Sequence, residues 1–129
     1  MYLASKDDQA SVDEIAGAYG ISRNHLMKVA RSLVDLDLIE ARRGRGGGFA
    51  LTKLPNDINV GNVVRALESL DGFVECFDRT GNTCPVAGAC GLQGALNSAL
   101  SAFLEKLDGF VLSDLLPDPL RFRRQLQVD

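Results

Sequence analysis

Between Ser11 and Leu51 the sequence places two helix starts, one tight turn and one glycine-rich hairpin in an order that leaves few folds open. Ser11 opens an S-x-x-E pattern with Glu14, the reciprocal capping box in which a hydroxyl and a carboxylate each satisfy a free N–H at a helix start. The pattern predicts a short helix running to about Tyr19 and stopping at Gly20. Ser22 caps a second helix, on which Leu26, Val29, Ala30, Leu33 and Val34 recur at three- and four-residue spacing. Two helices joined through Ala18-Tyr19-Gly20-Ile21-Ser22 make a helix-turn-helix, a pattern shared with many ordinary αα-hairpins. The next stretch, "LIEARRGRGGGFALT", predicts strands at about 38–42 and 49–52 around a glycine- and arginine-rich tip. By itself this is a solvated hairpin. It is no dinucleotide or phosphate loop, since no helix begins after the glycines and no G-K-S/T is present. Directly after a helix-turn-helix it becomes the wing of a winged helix, in which helix and wing both contact DNA grooves.

A DNA partner must be reconciled with a net charge of −3. The charge is unevenly spread. Residues 1–54 hold eight Lys/Arg against seven Asp/Glu, and residues 55–129 hold six against ten. The dense cationic spot is Arg42 to Arg45, and a local patch can bind phosphate on an acidic chain. With 46% hydrophobic and 24% charged residues, 129 residues suit one soluble, globular domain or one with an appendage. The start shows no signal-peptide pattern. Residues 80–104 are uncharged, but Gln93, Asn97, Ser98 and Ser101 make them too polar for a membrane span. A cytoplasmic protein is expected, with no membrane partner.

Beyond the wing, "NVGNVVRALESL" predicts a third helix over 59–70, with Val60, Val63, Val64 and Leu67 on one side. A long helix from about Gly91 to Leu107 carries Leu92, Ala95, Leu96, Ala99, Leu100, Phe103, Leu104 and Leu107 at helical spacing. Gly94, Ala95, Ala99 and Ala102 beside the leucines suit close pairing with a second copy in a two-fold dimer. In the tail, Ser113 caps a last turn before Pro117, Pro119 and a basic-apolar "RFRRQL". The expected fold is mainly α with a small β-hairpin. Residues 1–70 form a winged helix-turn-helix DNA-binding region, 71–90 a cysteine loop, and 91–129 a dimerisation helix with its tail.

All three cysteines, Cys76, Cys84 and Cys90, lie in that loop. The C-x7-C-x5-C spacing lacks the paired C-x2–4-C knuckles of structural zinc sites. A disulfide would leave one thiol over. Thiols stay reduced in the cytosol, which favours metal or redox chemistry. A loop rich in small residues can wrap an iron–sulfur cluster, which prefers cysteine but accepts another ligand at one position. Zinc, a thiol switch and inert cysteines remain open on spacing alone. Because Cys90 sits one residue before the long helix, a change at the thiols would be felt at the helix that sets dimer geometry. No paired carboxylates in a pocket-like setting and no Ser/His/Asp set point to an enzyme; the single histidine, His25, lies in the other module.

The combination resembles the Rrf family of winged-helix repressors, and within it the NsrR group of nitric-oxide-sensing iron–sulfur regulators. The residues that carry the resemblance are "ISRNHLMKV", "RRGRGGGFALTK", "INVGNVVRALE", "CPVAGACGLQGALNSAL" and "AFLEKLDGFVLSDLL", which span nearly the whole chain. The related IscR-like branch carries a histidine near the third cysteine, and "ACGLQGAL" has none. The resemblance implies a homodimeric repressor on a pseudo-palindromic double-stranded operator, released when nitric oxide nitrosylates the cluster. It implies one iron–sulfur cluster per subunit, 4Fe–4S in preference to 2Fe–2S, on Cys76, Cys84 and Cys90. It also implies DNA contacts from Ser22, Arg23, Asn24, His25 and Lys28 and from the wing residues Arg42, Arg43 and Arg45. Family members begin with a further helix ending in a stretch like "LMYLA", whereas this sequence starts at "MYLAS", so either the start is placed at an internal methionine or that helix is absent. In part of the group an acidic residue near its beginning, from the partner subunit, completes the cluster, and no position here inherits that role. An IscR-like cluster-status or thiol-redox regulator is the alternative within DNA binders. A small iron–sulfur electron carrier is the alternative outside them.

Overall fold

The structure is a computed structural model that describes residues 1–6, 8–44 and 46–127. Its order is α1 (Tyr2–Lys6), α2 (Val12–Tyr19), α3 (Arg23–Asp35), β1 (Ile39–Arg42), β2 (Gly48–Leu51), α4 (Val60–Leu67), α5 (Gly91–Asp108) and α6 (Pro119–Gln125), with single 3-10 turns between. The chain forms two compact units, one of residues 1–58 with 111–129 and one of residues 59–110.

In the first unit, α2 ends where its sequence says it must. Gly20 adopts φ +63°, its N–H reaches Gly17 O, and the Ile21 N–H reaches Ala16 O. These are the two closing bonds of a Schellman motif, and glycine occupies the left-handed position without a Cβ penalty. At the other end the capping box is only half formed. Ser11 Oγ accepts from the Glu14 N–H at 3.1 Å, but Glu14 Oε1 faces α1, accepting from Tyr2 Oη at 2.9 Å and Lys6 Nζ at 2.7 Å. Two donors on a neighbouring helix outcompete one backbone N–H. Burial and the Glu14 contact push the Tyr2 hydroxyl up to about 12, so it stays a neutral donor.

The short α1 thus contributes Tyr2 and Leu3 to the core. Tyr2, Ala10 and Ile15 are buried together, with Leu3, Ala18, Leu26 and Leu126 against them. Leu126 arrives from the tail, because α6 packs on α1. The tail differs from its expected form. Ser113 lies inside the 3-10 turn Leu112–Leu115, where Asp114 Oδ2 accepts from the Val111 N–H at 2.9 Å. The helix that follows is capped by Asp118, with Pro119 in its first turn.

The hairpin pairs Ile39 with Leu51 through Arg42 with Gly48, antiparallel. Its second strand has another neighbour on the far side. Ala10 exchanges two backbone bonds with Phe49, at 3.0 and 2.8 Å. The chain comes so close that a Cβ on Gly48 would stand 2.2 Å from Ala10 O. Glycine is required there by space, not by its dihedral angles.

In the second unit, α4 packs on α5. Asn59 caps α4 and also donates Nδ2 to Asp108 O at 2.8 Å. Arg65 grips the Asp108 carboxylate with both terminal nitrogens, the Nη2–Oδ2 contact being 2.8 Å. That two-pronged bond holds the Asp108 carboxyl below its usual value. The expected single apolar stripe of α5 divides in two. Leu96, Leu100, Leu104 and Leu107 are covered, whereas Leu92, Ala95, Ala99 and Phe103 stay exposed, Leu92 by 62% and Phe103 by 53%.

Candidate nucleic-acid interface and thiol loop

Helix α3 begins with its predicted cap. Ser22 Oγ accepts from the His25 N–H, though at a long 3.4 Å. Ser22, Arg23, Asn24, His25 and Lys28 occupy the cap and first two turns and are all exposed. Leu26, Val29 and Ala30 turn the opposite way, into half-buried or buried surroundings. The helix therefore displays five hydrogen-bonding or cationic side chains at its N-terminal end, the end that meets base edges in helix-turn-helix proteins. One of the cations is already engaged: Arg23 Nε meets Asp13 Oδ1 of α2 at 2.8 Å. Both partners are well exposed, so phosphate can replace the carboxylate at little cost.

Arg42 ends β1 and Arg43 follows it, both exposed and in the same compact unit as α3. Arg42 Nε pairs with Glu40 Oε1 at 3.0 Å along its own strand. Arg45 lies outside the described residues. The wing tip has a tie that no sequence pattern announces: Gln9 Nε2 donates to Gly46 O at 2.8 Å across 37 residues. Together with the Ala10–Phe49 pairing, it joins the wing to the segment that enters α2.

The thiol loop is built differently. Between α4 and α5 the backbone makes isolated turns, at Leu70–Gly72, Glu75–Phe77, 79–81 and from Cys84 to Ala89. Cys76 and Cys84 are half-buried and Cys90 is exposed, and none is in a disulfide. Cys90 stands at the N-cap position of α5. Side chains do the tying. Glu75 Oε1 accepts from both the Thr83 N–H, at 2.7 Å, and the Thr83 hydroxyl, at 2.5 Å. Asp78 Oδ1 accepts from the N–H and hydroxyl of Thr80, each at 2.8 Å, and from the Gly81 N–H at 3.0 Å. The Cys84 N–H donates to Asn82 Oδ1 at 2.9 Å, and Gln93 Nε2 donates to Cys76 O at 2.6 Å. Thr83 holds the Glu75 carboxyl, and Thr80 with Gly81 the Asp78 carboxyl, below the ordinary carboxylate value. These carboxylates serve as acceptors inside the loop. The "DRTG" run hints at the Asp78 turn, because aspartate commonly accepts from N–H groups two and three residues on. No pattern announces the Glu75–Thr83 or Gln93–Cys76 contacts.

Among the described residues, no three His, Cys, Asp or Glu side chains converge as ligands for one metal ion. An iron–sulfur cluster is a larger body, whose thiolate ligands are spread over several irons. Three free thiols, one in the Glu75–Phe77 turn, one at the start of the turns from Cys84 to Ala89 and one at the N-cap of α5, fit such a donor set, leaving one position for a ligand from elsewhere. No helix among the described residues is long and apolar enough to cross a membrane.

Comparisons with known proteins agree with this layout. Solved structures share the fold: T. potens IscR superposes with a TM-score of 0.69 at 23% identity, over 95% of this chain and 81% of that one. CymR (YrzC), the global cysteine regulator of B. subtilis, gives a TM-score of 0.65 at 25% identity, over 88% and 83%. In sequence, the HTH-type transcriptional regulator NsrR of Bacillus subtilis (strain 168) is 48% identical over 118 residues, 90% of this chain and 81% of that protein. NsrR of Bacillus licheniformis is 41% identical over 128 residues, 98% and 90% of the two chains. Residues 1–118 match the Rrf2 family, described as an iron-dependent transcriptional regulator. The exposed recognition helix, the wing and the match along nearly the whole length lead to one conclusion: the chain belongs to the Rrf2 family of transcriptional regulators and is not an enzyme.

Proposed function

We propose that this regulator is a cytoplasmic, homodimeric repressor that senses nitric oxide through an iron–sulfur cluster and lets go of its operator in response. The observation that carries the reading is the position of the thiols: all three lie on one loop, and the last stands at the N-cap of α5. The similarity to NsrR proteins supports the same reading. Cys76, Cys84 and Cys90 hold one cluster per subunit, of the 4Fe–4S type in preference to 2Fe–2S. When bound, the cluster supplies iron that reacts with nitric oxide. The chain's own part is to hold the thiols, to pass a change in the loop to α5, and to present α3 and the wing.

The exposed Leu92, Ala95, Ala99 and Phe103 of α5 form the face for the second copy. Two copies related by a two-fold axis read a pseudo-palindromic double-stranded operator. Ser22, Arg23, Asn24, His25 and Lys28 enter the major groove or meet phosphates, and Arg42, Arg43 and Arg45 meet phosphates beside it. In functional terms residues 1–70 read DNA, 71–90 hold the cluster, and 91–129 supply the dimerisation helix and the C-terminal tail.

Measuring operator affinity against salt tests the DNA-reading half. Replacing Arg42, Arg43 and Arg45 together by alanine removes six contacts from the dimer, lowers the logarithmic salt slope by about 5 at roughly 0.9 per phosphate contact, and weakens all DNA sequences alike. An unchanged slope would move these arginines off the DNA.

A further inference from the structure

The loop contacts separate into two groups. Glu75 and Thr83 are the residues immediately before Cys76 and Cys84, so the doubled bond between them fixes two cysteine-bearing segments against each other. It does nothing for Cys90, which belongs to the start of α5. One side chain spans that gap. Gln93, the third residue of α5, is half-buried and donates Nε2 to Cys76 O at 2.6 Å, across 17 residues. It sits one helical turn beyond Cys90 and grips the main chain of Cys76 itself. The Glu75–Phe77 turn it grips is closed by only two backbone bonds, Phe77 N–H to Val74 O at 3.0 Å and Asp78 N–H to Glu75 O at 3.1 Å. The amide of Gln93 thus bonds α5 directly to the Cys76 backbone, whereas Cys84 reaches Cys90 only through the short turns of 84–89.

We propose that Gln93 is a positioning residue for the cluster: its side-chain amide sets Cys76 in register with the helix that begins after Cys90. The inference rests on the cluster reading above and deepens it. Gln93 is no ligand in this account. It acts through the backbone of a ligand, as the partners that orient first ligands do at metal sites. The same contact makes the loop and the first turn of α5 move as one piece, so it also lies on the route from thiols to helix.

The test uses full-length protein with Gln93→Glu and Gln93→Met. Glutamate keeps the shape, loses the donor and suits the first turn of a helix, so the variant folds. Methionine removes the polar group at similar length. Two measurements are made: loss of cluster absorbance to an iron chelator without oxygen, and amide exchange across residues 74–78 in the cluster-free protein. The expected result is that both variants lose cluster about tenfold faster than the parent, the low end of what such supporting partners contribute. Exchange at Phe77 and Asp78 also rises while that of mid-α5 amides stays the same. If exchange rises but chelator loss is unchanged, Gln93 merely braces the loop and the proposal is overturned. It is equally overturned if neither quantity moves. A parent protein that takes up no cluster sinks the cluster reading and this inference with it, and a loading parent with indifferent variants sinks the inference alone.

Discussion

The winged helix and the thiol loop are held by opposite means. In the first, backbone pairs with backbone: a two-stranded ladder, the Ala10–Phe49 bridge and the Schellman closure at Gly20 surround a buried cluster of Tyr2, Ala10 and Ile15. In the second, single turns are tied by carboxylate, amide and hydroxyl side chains, most of them exposed to water. Regions with few buried apolar contacts and exposed hydrogen bonds open at low free energy, whereas core elements open only with global unfolding. A reader of DNA gains from the first kind of construction, because its side chains must stay within hydrogen-bond reach of fixed positions. A sensor gains from the second, because a small chemical change has to alter its shape.

The comparison makes graded predictions. The largest effect belongs to Gly48→Val, which forces side-chain atoms into the Ala10 carbonyl. It costs about 3 kcal/mol, and chemical denaturation reads it. A loss of under about 1 kcal/mol would mean that the wing has room to yield, and the contrast between the regions would weaken. Ser22→Ala comes next, at about 1 kcal/mol or somewhat less given the long bond, read as a shift of the unfolding midpoint.

A smaller effect is expected at Glu14. Burial pushes its carboxyl up, yet the bonds from Lys6 and Tyr2 outweigh that and hold it below the ordinary value of 4.5. A carboxyl lowered in the folded state stabilises fully above its unfolded value and ceases to as the pH falls through the folded one. The contact between α1 and α2 therefore weakens below about pH 4.5, by under about 1 kcal/mol. Glu14→Gln removes that acid dependence, followed by amide exchange in α1. The smallest global effect is that of Thr83→Val, which removes the hydroxyl held by Glu75. The unfolding midpoint stays where it was while the Thr83 and Cys84 amides exchange faster. A large fall in midpoint would show the loop to be as deeply integrated as the wing.

Much of the first region is legible in the sequence, because its elements are set by local rules. Ser11, Gly20 and Ser22 mark helix ends whatever surrounds them: α2 starts after Ser11 and stops at Gly20, and α3 starts after Ser22. The wing strands shift by a residue at most from their expected bounds. What local rules miss is long-range competition. Glu14 pairs with α1 instead of closing its own capping box, and the tail "RFRRQL" becomes a helix whose neighbour Leu126 enters the core beside Tyr2. The α5 stripe reads as one face in sequence, but α4 covers only part of it. In the thiol loop the cysteines announce themselves, while Glu75, Thr83 and Gln93 do not. Their roles depend on which residues the loop brings together, and no periodicity encodes that.

The most direct test of the account is an anaerobic titration. Protein isolated without oxygen, with iron and sulfide counted, is treated with nitric oxide while cluster absorbance and binding to an operator selected in vitro are followed together. The account predicts one cluster per subunit, with absorbance and operator affinity falling over the same range of nitric oxide. Bleaching that leaves DNA affinity unchanged, or operator release by protein that holds no iron, would contradict it.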